Sequence, residues 1–180
     1  MIAPIGRSVV LTLDEATKAG EARRIALRIA DRLGFDETSR GRVGIVVTEA
    51  ATNLHKHARD GELILRALDE GQSVGLEVLA VDRGPGMADI GRCLADGYST
   101  AGSPGHGLGA MMRLSSSFDL YSSTETGTVT LAHLGQGCHA EGDRAGMELG
   151  VVNLPLGGEE VCGDAWAVDE QPGRSVVLVV

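Results

Sequence analysis

The sequence VDRGPGMADI, residues 81–90, follows directly on an apolar run, SVGLEVLAV, at 73–81. This run is followed by Asp82 and then by Gly84 and Gly86, and the pattern has two interpretations. The first is a plain turn between two strands, which the Gly and Pro residues favour. The second is a strand end that presents Asp82 to a ligand, with glycines that let the backbone approach a flat ring closely. On this motif alone the turn is favoured, so other parts of the chain must separate the two.

The composition bounds the possible functions. The 180 residues suffice for one domain, or one domain and a fragment, and the 3% of aromatic residues predicts an aliphatic core. The net charge of −9, without a dense Lys/Arg cluster, argues against nucleic acid as a partner. No apolar run approaches the roughly 20 residues of a membrane-spanning helix, and the first ten residues lack the pattern of a signal peptide. We therefore expect neither nucleic acid nor membrane binding.

The cysteines indicate the compartment. Cys93, Cys138 and Cys162 are odd in number and widely spaced, so they form neither a disulfide framework nor a Cys-x-x-Cys metal site. This usage fits a reducing environment, and we predict a cytoplasmic location.

Hydrophobic periodicity predicts a chain that contains both strands and helices. We expect Asp14 to cap the first helix and Gly34 to end it. Turns are predicted at DEGQ (69–72) and TETG (124–127). The predicted strands are 8–13, 61–68, 73–81, 118–123 and 127–134, with two more in 147–156 and 173–180; the predicted helices are 14–33, 37–58, a short one near 88–96, and one beginning at 107.

A polar motif, TEAATNLHKHA, lies on the second predicted helix. Glu49, Asn53 and His57 are spaced four residues apart, so they project from nearly one face. A carboxylate there can orient or deprotonate an attacking hydroxyl, and an amide oxygen one turn later can bind Mg²⁺. The alternative is a solvated polar face.

A second glycine-rich motif, GSPGHGLGAMM at 102–112, leads into a helix. The backbone amides of such a loop and the positive end of the helix suit phosphate oxygens. The loop lacks the Gly-Lys-Ser/Thr of a P-loop, and no strand-helix-strand unit frames it as a dinucleotide site. The alternative is a flexible loop, but three motifs in this order are more specific than any of them alone.

In this order the motifs resemble those of the Bergerat-fold (GHKL) ATPases, which include gyrase, MutL and the histidine kinases. ExxxNxxxH at 49–57 is similar to the N box of that family, DRGPGM to its first glycine box and GHGLG to its second. GTVTL resembles the final box. The resemblance covers roughly residues 8–134 and implies an α/β, two-layer sandwich: a mixed, mostly antiparallel sheet with helices on one face and ATP between the helices and a lid.

The resemblance also implies residue roles. Glu49 would be the catalytic base, Asn53 would hold Mg²⁺ and Asp82 would read adenine. His57 is open between a nucleotide contact and a partly buried structural histidine. The short lid has no lysine, so charge at the γ-phosphate would be met by Mg²⁺, backbone amides, and His106 or Arg113. The residues implied to line the nucleotide are Asn53, His57, Asp82, Gly84, Gly86, Met87, Thr100, Gly105, His106, Gly107, Leu108, Gly109 and Thr128.

Within that superfamily, the short lid at 96–123 most resembles the anti-sigma serine/threonine kinases of bacterial partner switching, of the stressosome switch-kinase type. This implies phosphorylation of a STAS-domain antagonist and control of a sigma factor or stress response. The alternative is a nucleotide-dependent binding module, an anti-sigma factor or an activator of a downstream phosphatase, without significant kinase turnover. A sensor histidine kinase is disfavoured because no helical hairpin with a phosphoacceptor histidine precedes residue 14. Kinases of this type often form homodimers, but no surface stripe indicates one here.

The tail carries a separate resemblance. GVVNLPLGGEEVCGDAWAV at 150–168 is similar to the opening hairpin of type 2C phosphatases of the bacterial regulator branch, where Asp164 would bind Mg²⁺ or Mn²⁺; an acidic turn is the alternative. We thus predict a kinase domain at 1–134, a linker at 135–145 and the start of a phosphatase domain at 146–180. Because the sequence ends within an apolar strand, we expect it to be a piece of a longer protein.

Overall fold

The chain divides into two compact units, residues 1–138 and 139–180. None of the helices in the part of the chain that the structure covers is long and apolar enough to cross a membrane. The computed structural model describes residues 8–70, 73–94, 107–136, 166–171 and 174–179. The first unit contains β1 (Ser8–Thr12), α1 (Thr17–Arg32), α2 (Glu37–His57), β2 (Glu62–Glu70), β3 (Ser73–Asp82), α3 (Ile90–Leu94), α4 (Gly107–Leu114), β4 (Ser117–Ser123) and β5 (Gly127–Gln136).

The five strands of the first unit form one sheet in the order β1-β2-β3-β5-β4. The predicted α/β sandwich is confirmed, although every pairing between described strands is antiparallel and none is parallel. Three of the four pairs join strands whose connections are short or carry the N-terminal helices. The fourth, β3 with β5, brings the end of β3 beside the start of β5, and this places Asp82 opposite Thr128.

The core lies between one face of the sheet and the helices. Strand side chains alternate between the two faces, so every second residue of the central strands points toward α1 and α2. On α2 the apolar side chains that pack inward are buried, namely Val43, Val46, Val47, Ala50, Ala51 and Leu54. The buried strand residues of this core include Leu63 and Leu65 of β2, Leu76, Val78 and Ala80 of β3, and Ala132 and Leu134 of β5.

The ends of the long helices test the capping predictions. Gly34 ends α1 as predicted, with φ of 73°, a conformation that glycine adopts without strain. The Asp14 cap is wrong, because α1 begins at Thr17 and has no side-chain cap. The reason is sheet pairing: the amide of Leu13 donates to Gly61 O at 2.9 Å, which keeps the chain extended next to Asp14. By contrast, Asp36 does cap α2, accepting from the Ser39 amide at 2.7 Å.

The turns test the hairpin predictions. The turn at 124–127 is confirmed, since β4 ends at Ser123 and β5 begins at Gly127. The first predicted turn is too long, because Asp69 and Glu70 remain in β2 and pair with β3. Antiparallel pairing can continue up to a two-residue connection, which is the commonest hairpin loop. The short helix predicted near 88–96 is α3.

The second unit is described only through one hairpin, in which β6 (Trp166–Gln171) pairs antiparallel with β7 (Arg174–Val179). The predicted strand at 173–180 corresponds to β7. The predicted strand at 147–156 and the metal ligand Asp164 lie outside the described residues. The linker and phosphatase assignments, and with them the domain boundaries, stay predictions.

Candidate functional site

The start of α4 lies against the polar face of α2. A Cβ atom placed on Gly107 would lie 2.7 Å from Glu49 Oε2 and 3.6 Å from Asn53 Oδ1. The two oxygens, which are one helical turn apart on α2, therefore converge on the first residue of α4. Both side chains are half-buried, so they remain accessible to a ligand from one side. Because residue 107 is glycine, no side chain occupies the space next to the Glu49 carboxylate.

This arrangement places the negative carboxylate of Glu49 next to the positive N-terminal end of α4. The first amides of a helix have no partner within the helix and carry partial positive charge, which favours an anion such as phosphate. A carboxylate beside a phosphate is repelled unless a cation lies between them. The amide oxygen of Asn53 is a hard donor that fits Mg²⁺, an ion commonly held by one or two protein oxygens together with phosphates. In the described ranges no group of three His, Cys, Asp or Glu residues forms a metal cluster by itself.

The opposite end of the site is built around the last residue of β3. Asp82 Oδ1 accepts from the Gly84 amide at 2.6 Å. This bond fixes the carboxylate and leaves Oδ2 to accept from a ligand. A Cβ on Gly84 would lie only 2.6 Å from His57 O and 3.4 Å from Ala58 Cα, so only glycine lets this loop pack on the end of α2. The DRGPGM stretch is thus not a hairpin turn, because β3 pairs with β2 and β5 and the loop leads to α3.

Two further glycines bring the β4–β5 turn onto this loop. Gly86 has φ of 62°, and a side chain on it would collide with Ser123 O. Gly127 has φ of 100°, and a side chain there would collide with Asp82 O. Both positions combine a left-handed backbone with a close approach, which only glycine tolerates without strain. The loop after β3 and the β4–β5 turn therefore hold each other in place.

A hydroxyl pair lies beside Asp82. Thr128 is paired with Asp82 across β3 and β5, and Ser122 is paired with Thr128 across β4 and β5. Ser122 Oγ lies 2.9 Å from Thr128 Oγ1 and accepts from the Met87 amide at 2.8 Å. The sequence analysis named Thr128 and Met87 but missed Ser122. The hairpin pattern around TETG could have identified it, once the register of that turn was known.

The predicted site residues are brought together in part. Glu49, Asn53 and Gly107 form one group, and Asp82, Gly84 and Thr128 belong to the other. Gly109 is buried and Leu108 half-buried in α4. Thr100, Gly105 and His106, with the rest of residues 95–106, lie outside the described residues.

The structure contradicts one of the two roles predicted for His57, that of a partly buried structural histidine. It is the last residue of α2, and its side chain is exposed, so it is not a partly buried structural histidine. Its backbone carbonyl, rather than its ring, faces Gly84. A contact between its ring and a nucleotide stays a prediction.

A charged cluster occupies the other face of the sheet and is separate from this site. Arg66 pairs with Glu77, with Nε 3.0 Å from Oε1, and His133 Nε2 lies 2.9 Å from Glu77 Oε2. Ser117 Oγ lies 2.9 Å from His133 Nδ1, so the cluster spans four strands. Burial would raise the pKa of Glu77, but the hydrogen bond from His133 and the charge of Arg66 outweigh it, and the pKa is lowered. The Glu77 carboxylate therefore links strands of the sheet and is not part of the site described above.

Comparison with known proteins adds independent evidence. Residues 12–133 match the family model described as the histidine kinase-like ATPase domain. The chain is 34% identical over 107 residues to the serine/threonine-protein kinase RsbT of Bacillus subtilis (strain 168), covering 59% of this chain and 80% of RsbT.

Solved structures with a similar fold include a mycobacterial sensor histidine kinase, MprB, with 15% identity and a TM-score of 0.45 over 73% of this chain and 97% of that one. The catalytic domain of the histidine kinase ThkA matches with 14% identity and a TM-score of 0.42, over 72% of this chain and 95% of that one. These structural likenesses are weaker than the family match. The family model covers the whole of α1 to α4 and most of the sheet, and on this match the chain belongs to the histidine kinase-like ATPase family, in which its sequence is similar to a serine/threonine-protein kinase.

Proposed function

We propose that this protein is an ATP- and Mg²⁺-dependent serine/threonine protein kinase of a bacterial partner-switching system. The observation that carries the proposal is the convergence of Glu49 Oε2 and Asn53 Oδ1 on Gly107, the first residue of α4. A carboxylate, an amide oxygen and the amides at a helix N-terminus are groups suited to phosphoryl transfer to a hydroxyl.

The two ends of the site suit the two ends of ATP. Asp82 and Thr128, side by side on the sheet, offer an acceptor and a hydroxyl to the edge of the adenine ring. Gly84 and Gly86 keep the neighbouring loop clear of side chains. The start of α4 then receives the phosphates, with Asn53 as the protein ligand for Mg²⁺. When bound, the ion supplies positive charge that offsets the charge of the phosphates.

Glu49 would act on the acceptor hydroxyl. The hydroxyl oxygen of the substrate attacks the γ-phosphorus, the bond from that phosphorus to the bridging oxygen of ADP breaks, and the hydroxyl proton passes to the Glu49 carboxylate. Because phosphoryl transfer has a loose transition state, the positioning of the hydroxyl contributes more than its deprotonation. Asn53, one turn along the same helix, fixes the distance between the base and the phosphates.

We further propose a STAS-domain antagonist protein as the substrate and a cytoplasmic location, with a sigma factor or stress response under its control. The support is the short lid sequence and the similarity to the kinase RsbT. The acidic chain, with a net charge of −9, favours a protein partner over a nucleic acid.

The direct test is phosphotransfer. The protein is incubated with labelled ATP, Mg²⁺ and a candidate STAS-domain protein, and the labelled hydroxyl is identified by mass spectrometry. Glu49→Gln keeps the size of the side chain but removes the base, so we expect the rate to fall by about 10²–10⁴-fold with nucleotide affinity retained. A Glu49→Gln rate equal to that of the wild type would show that the assigned base is wrong. Nucleotide binding without transfer to any partner would favour the binding-module alternative.

A further inference from the structure

Positive charge is concentrated on the two long helices, although the chain as a whole is acidic. α1 and α2 contain eight of the 16 Lys and Arg residues but only four of the 25 Asp and Glu residues, so together they carry a net charge of +4. The whole chain carries −9. None of the buried residues of either helix is charged, so these charges lie on the outer surface of α1 and α2, which we call the basic face.

Arg23 of α1 reaches across the basic face to α2. Its Nη1 donates to Thr48 Oγ1 at 3.3 Å, while the Thr48 hydroxyl donates its own proton to Gly44 O at 2.6 Å. A Cβ atom on residue 44 would lie 2.5 Å from Arg23 Nη1 and 2.7 Å from Nη2. The guanidinium thus lies directly against α2, and it can do so because residue 44 is glycine.

Most of the N–H groups of the Arg23 guanidinium are still available to a ligand. A guanidinium has five N–H donors, and within the described residues Arg23 makes one hydrogen bond, that to Thr48. No carboxylate in the described ranges forms an ion pair with Arg23, and its side chain is exposed. A carboxylate of another molecule can therefore bind it through two parallel N–H bonds.

An exposed apolar side chain lies next to Arg23 and the proposed base. Ile45 is 45% exposed, and it comes three residues before Thr48 and four before Glu49, so it is a surface neighbour of both. Thr48 holds Arg23, and Glu49 is the residue proposed to receive the proton of the acceptor hydroxyl. Arg23, Ile45 and Glu49 therefore border the same part of the basic face. A protein that brings a hydroxyl to Glu49 must cover it.

We propose that this part of the basic face is the docking surface for the acceptor protein, and that Arg23 and Ile45 are its specificity-determining residues. The acceptor supplies an acidic side chain to Arg23 and an apolar side chain to Ile45, next to the hydroxyl that is phosphorylated. This inference rests on the proposed function, in which Glu49 acts on that hydroxyl. A charge pair that is covered on binding and an apolar anchor beside it are the kinds of contact that carry most of the affinity of a protein interface.

An acidic protein fits this face better than a nucleic acid does. A nucleic acid is bound mainly through cations that neutralise successive phosphates. Here the Arg40 cation is already paired with Asp31 at 3.1 Å. The apolar side chain of Ile45 and the negative charge of Glu49 also interrupt the row of cations on α2.

The test compares phosphotransfer kinetics with the STAS-domain protein that the wild type labels fastest, out of those encoded in the same genome. Arg23→Ala and Ile45→Ala should each raise KM for this protein at least about fivefold, with kcat and ADP affinity changed less than about twofold. Gly44→Ala should raise KM by about threefold or more, because its methyl group displaces the Arg23 guanidinium. This variant gains helix propensity, so its weaker docking would not result from unfolding.

Arg28→Ala is the matched control, since it removes an exposed charge from the same helix, five residues from Arg23 and on a different side. It should change KM by less than about twofold. An equal rise in KM for Arg28→Ala overturns the inference, because only the total charge then matters. An unchanged KM in Arg23→Ala or in Gly44→Ala overturns it as well, and so does a fall in kcat without a rise in KM.

Two further results separate the inference from its alternatives. If a double-stranded DNA oligonucleotide binds the wild type as tightly as the STAS-domain protein does, and Arg23→Ala abolishes that binding, the face is a nucleic-acid site and the inference is wrong. If the wild type binds ADP but labels no STAS-domain protein, the proposed function fails. Calorimetric titration with the same STAS-domain proteins then decides the docking alone: it stands if one of them binds the wild type and Arg23→Ala loses that binding, and it fails otherwise.

Discussion

Gly107 lies where the N-terminal end of α4, the proposed phosphate site, meets the polar face of α2. The spacing of Glu49 and Asn53 on a helix could be predicted from the sequence, since residues four apart share a face. Their distance to α4 could not, because about fifty residues separate the two helices. The position of Ser122 was missed for a related reason: its partner is fixed by the register of a turn, and register depends on turn geometry.

Substitution of Gly107 tests this junction at the scale of one residue. In Gly107→Ala the new methyl group would lie where Glu49 Oε2 now approaches to 2.7 Å, so the carboxylate must move. We expect phosphotransfer to slow at least about tenfold, since misplacement of a catalytic group by about 1 Å is costly. Stability should change by no more than about 0.5 kcal/mol, because the displaced atom ends a flexible side chain. Rate assays and urea unfolding measure both quantities; an unchanged rate would mean that Glu49 does not act at α4.

At the scale of single elements, α2 contributes residues to both the core and the site, and it contains Gly44 near its middle. Glycine has low helix propensity, so Gly44 by itself would weaken α2. The structure shows what lies there: the guanidinium of Arg23, with Nη1 2.5 Å from the position of a Cβ. Arg23 Nη1 also donates to Thr48 Oγ1 at 3.3 Å, which links α1 to α2 next to the Glu49 turn.

Gly44→Ala should therefore show whether the gain in helix propensity is larger than the cost of displacing the Arg23 guanidinium. Alanine gains up to about 1 kcal/mol of helix propensity over glycine, while the Arg23 head group is exposed and its hydrogen bond to Thr48 is long. We expect a net stabilisation of about 0.5 kcal/mol in urea unfolding.

Gly41→Ala is the control for that substitution, because nothing lies within 4 Å of its Cβ position. It should gain the full propensity of about 1 kcal/mol. If Gly44→Ala is less stable than the wild type by more than about 1 kcal/mol, the Arg23 position is rigid and couples the two helices.

The charged cluster on the sheet makes a second prediction at this scale. The pKa of Glu77 is lowered in the folded chain, so its contribution to stability is present above the unfolded pKa and is lost as the pH falls through the folded pKa. Glu77→Gln should cost about 1–3 kcal/mol at pH 7, since it weakens bonds to Arg66 and His133. The difference from the wild type should shrink below about pH 4.

Urea unfolding at pH 7 and in acid checks this dependence. Asp36→Asn is a useful comparison, because Asp36 is exposed and its pKa is lowered mainly by the Ser39 amide, away from the sheet. A constant difference between wild type and Glu77→Gln at all pH values would show that the cluster does not hold the carboxylate ionised.

For the whole molecule, most strands, the long helices and the hairpins of the first unit follow from patterns that the sequence carries, whereas the strand order β1-β2-β3-β5-β4 does not. Apolar residues at helical spacing fixed α1 and α2, and short turns fixed the hairpins. Where the sequence misled, tertiary pairing was the cause: the bond from Leu13 to Gly61 extends β1 and removes the Asp14 cap. The role of Asp82, in contrast, could not be decided from the sequence around it. It became clear only from two contacts in the fold: Thr128 of β5 is paired with Asp82, and Gly84 packs on the end of α2.

The central claim is that Asp82 reads the adenine of a nucleotide whose phosphates lie at α4. Calorimetric titration with ADP and Mg²⁺, on the wild type and on Asp82→Asn, tests it most directly. Asparagine can still accept from the Gly84 amide, but its NH₂ group would replace Oδ2 and face the adenine amine, donor against donor.

The account predicts saturable, Mg²⁺-dependent ADP binding with a dissociation constant below about 1 mM. It also predicts a loss of at least about tenfold in Asp82→Asn, with little change in melting temperature, because the turn at Gly84 is kept. Absence of binding by the wild type at millimolar ADP, or equal affinity in Asp82→Asn, would contradict it.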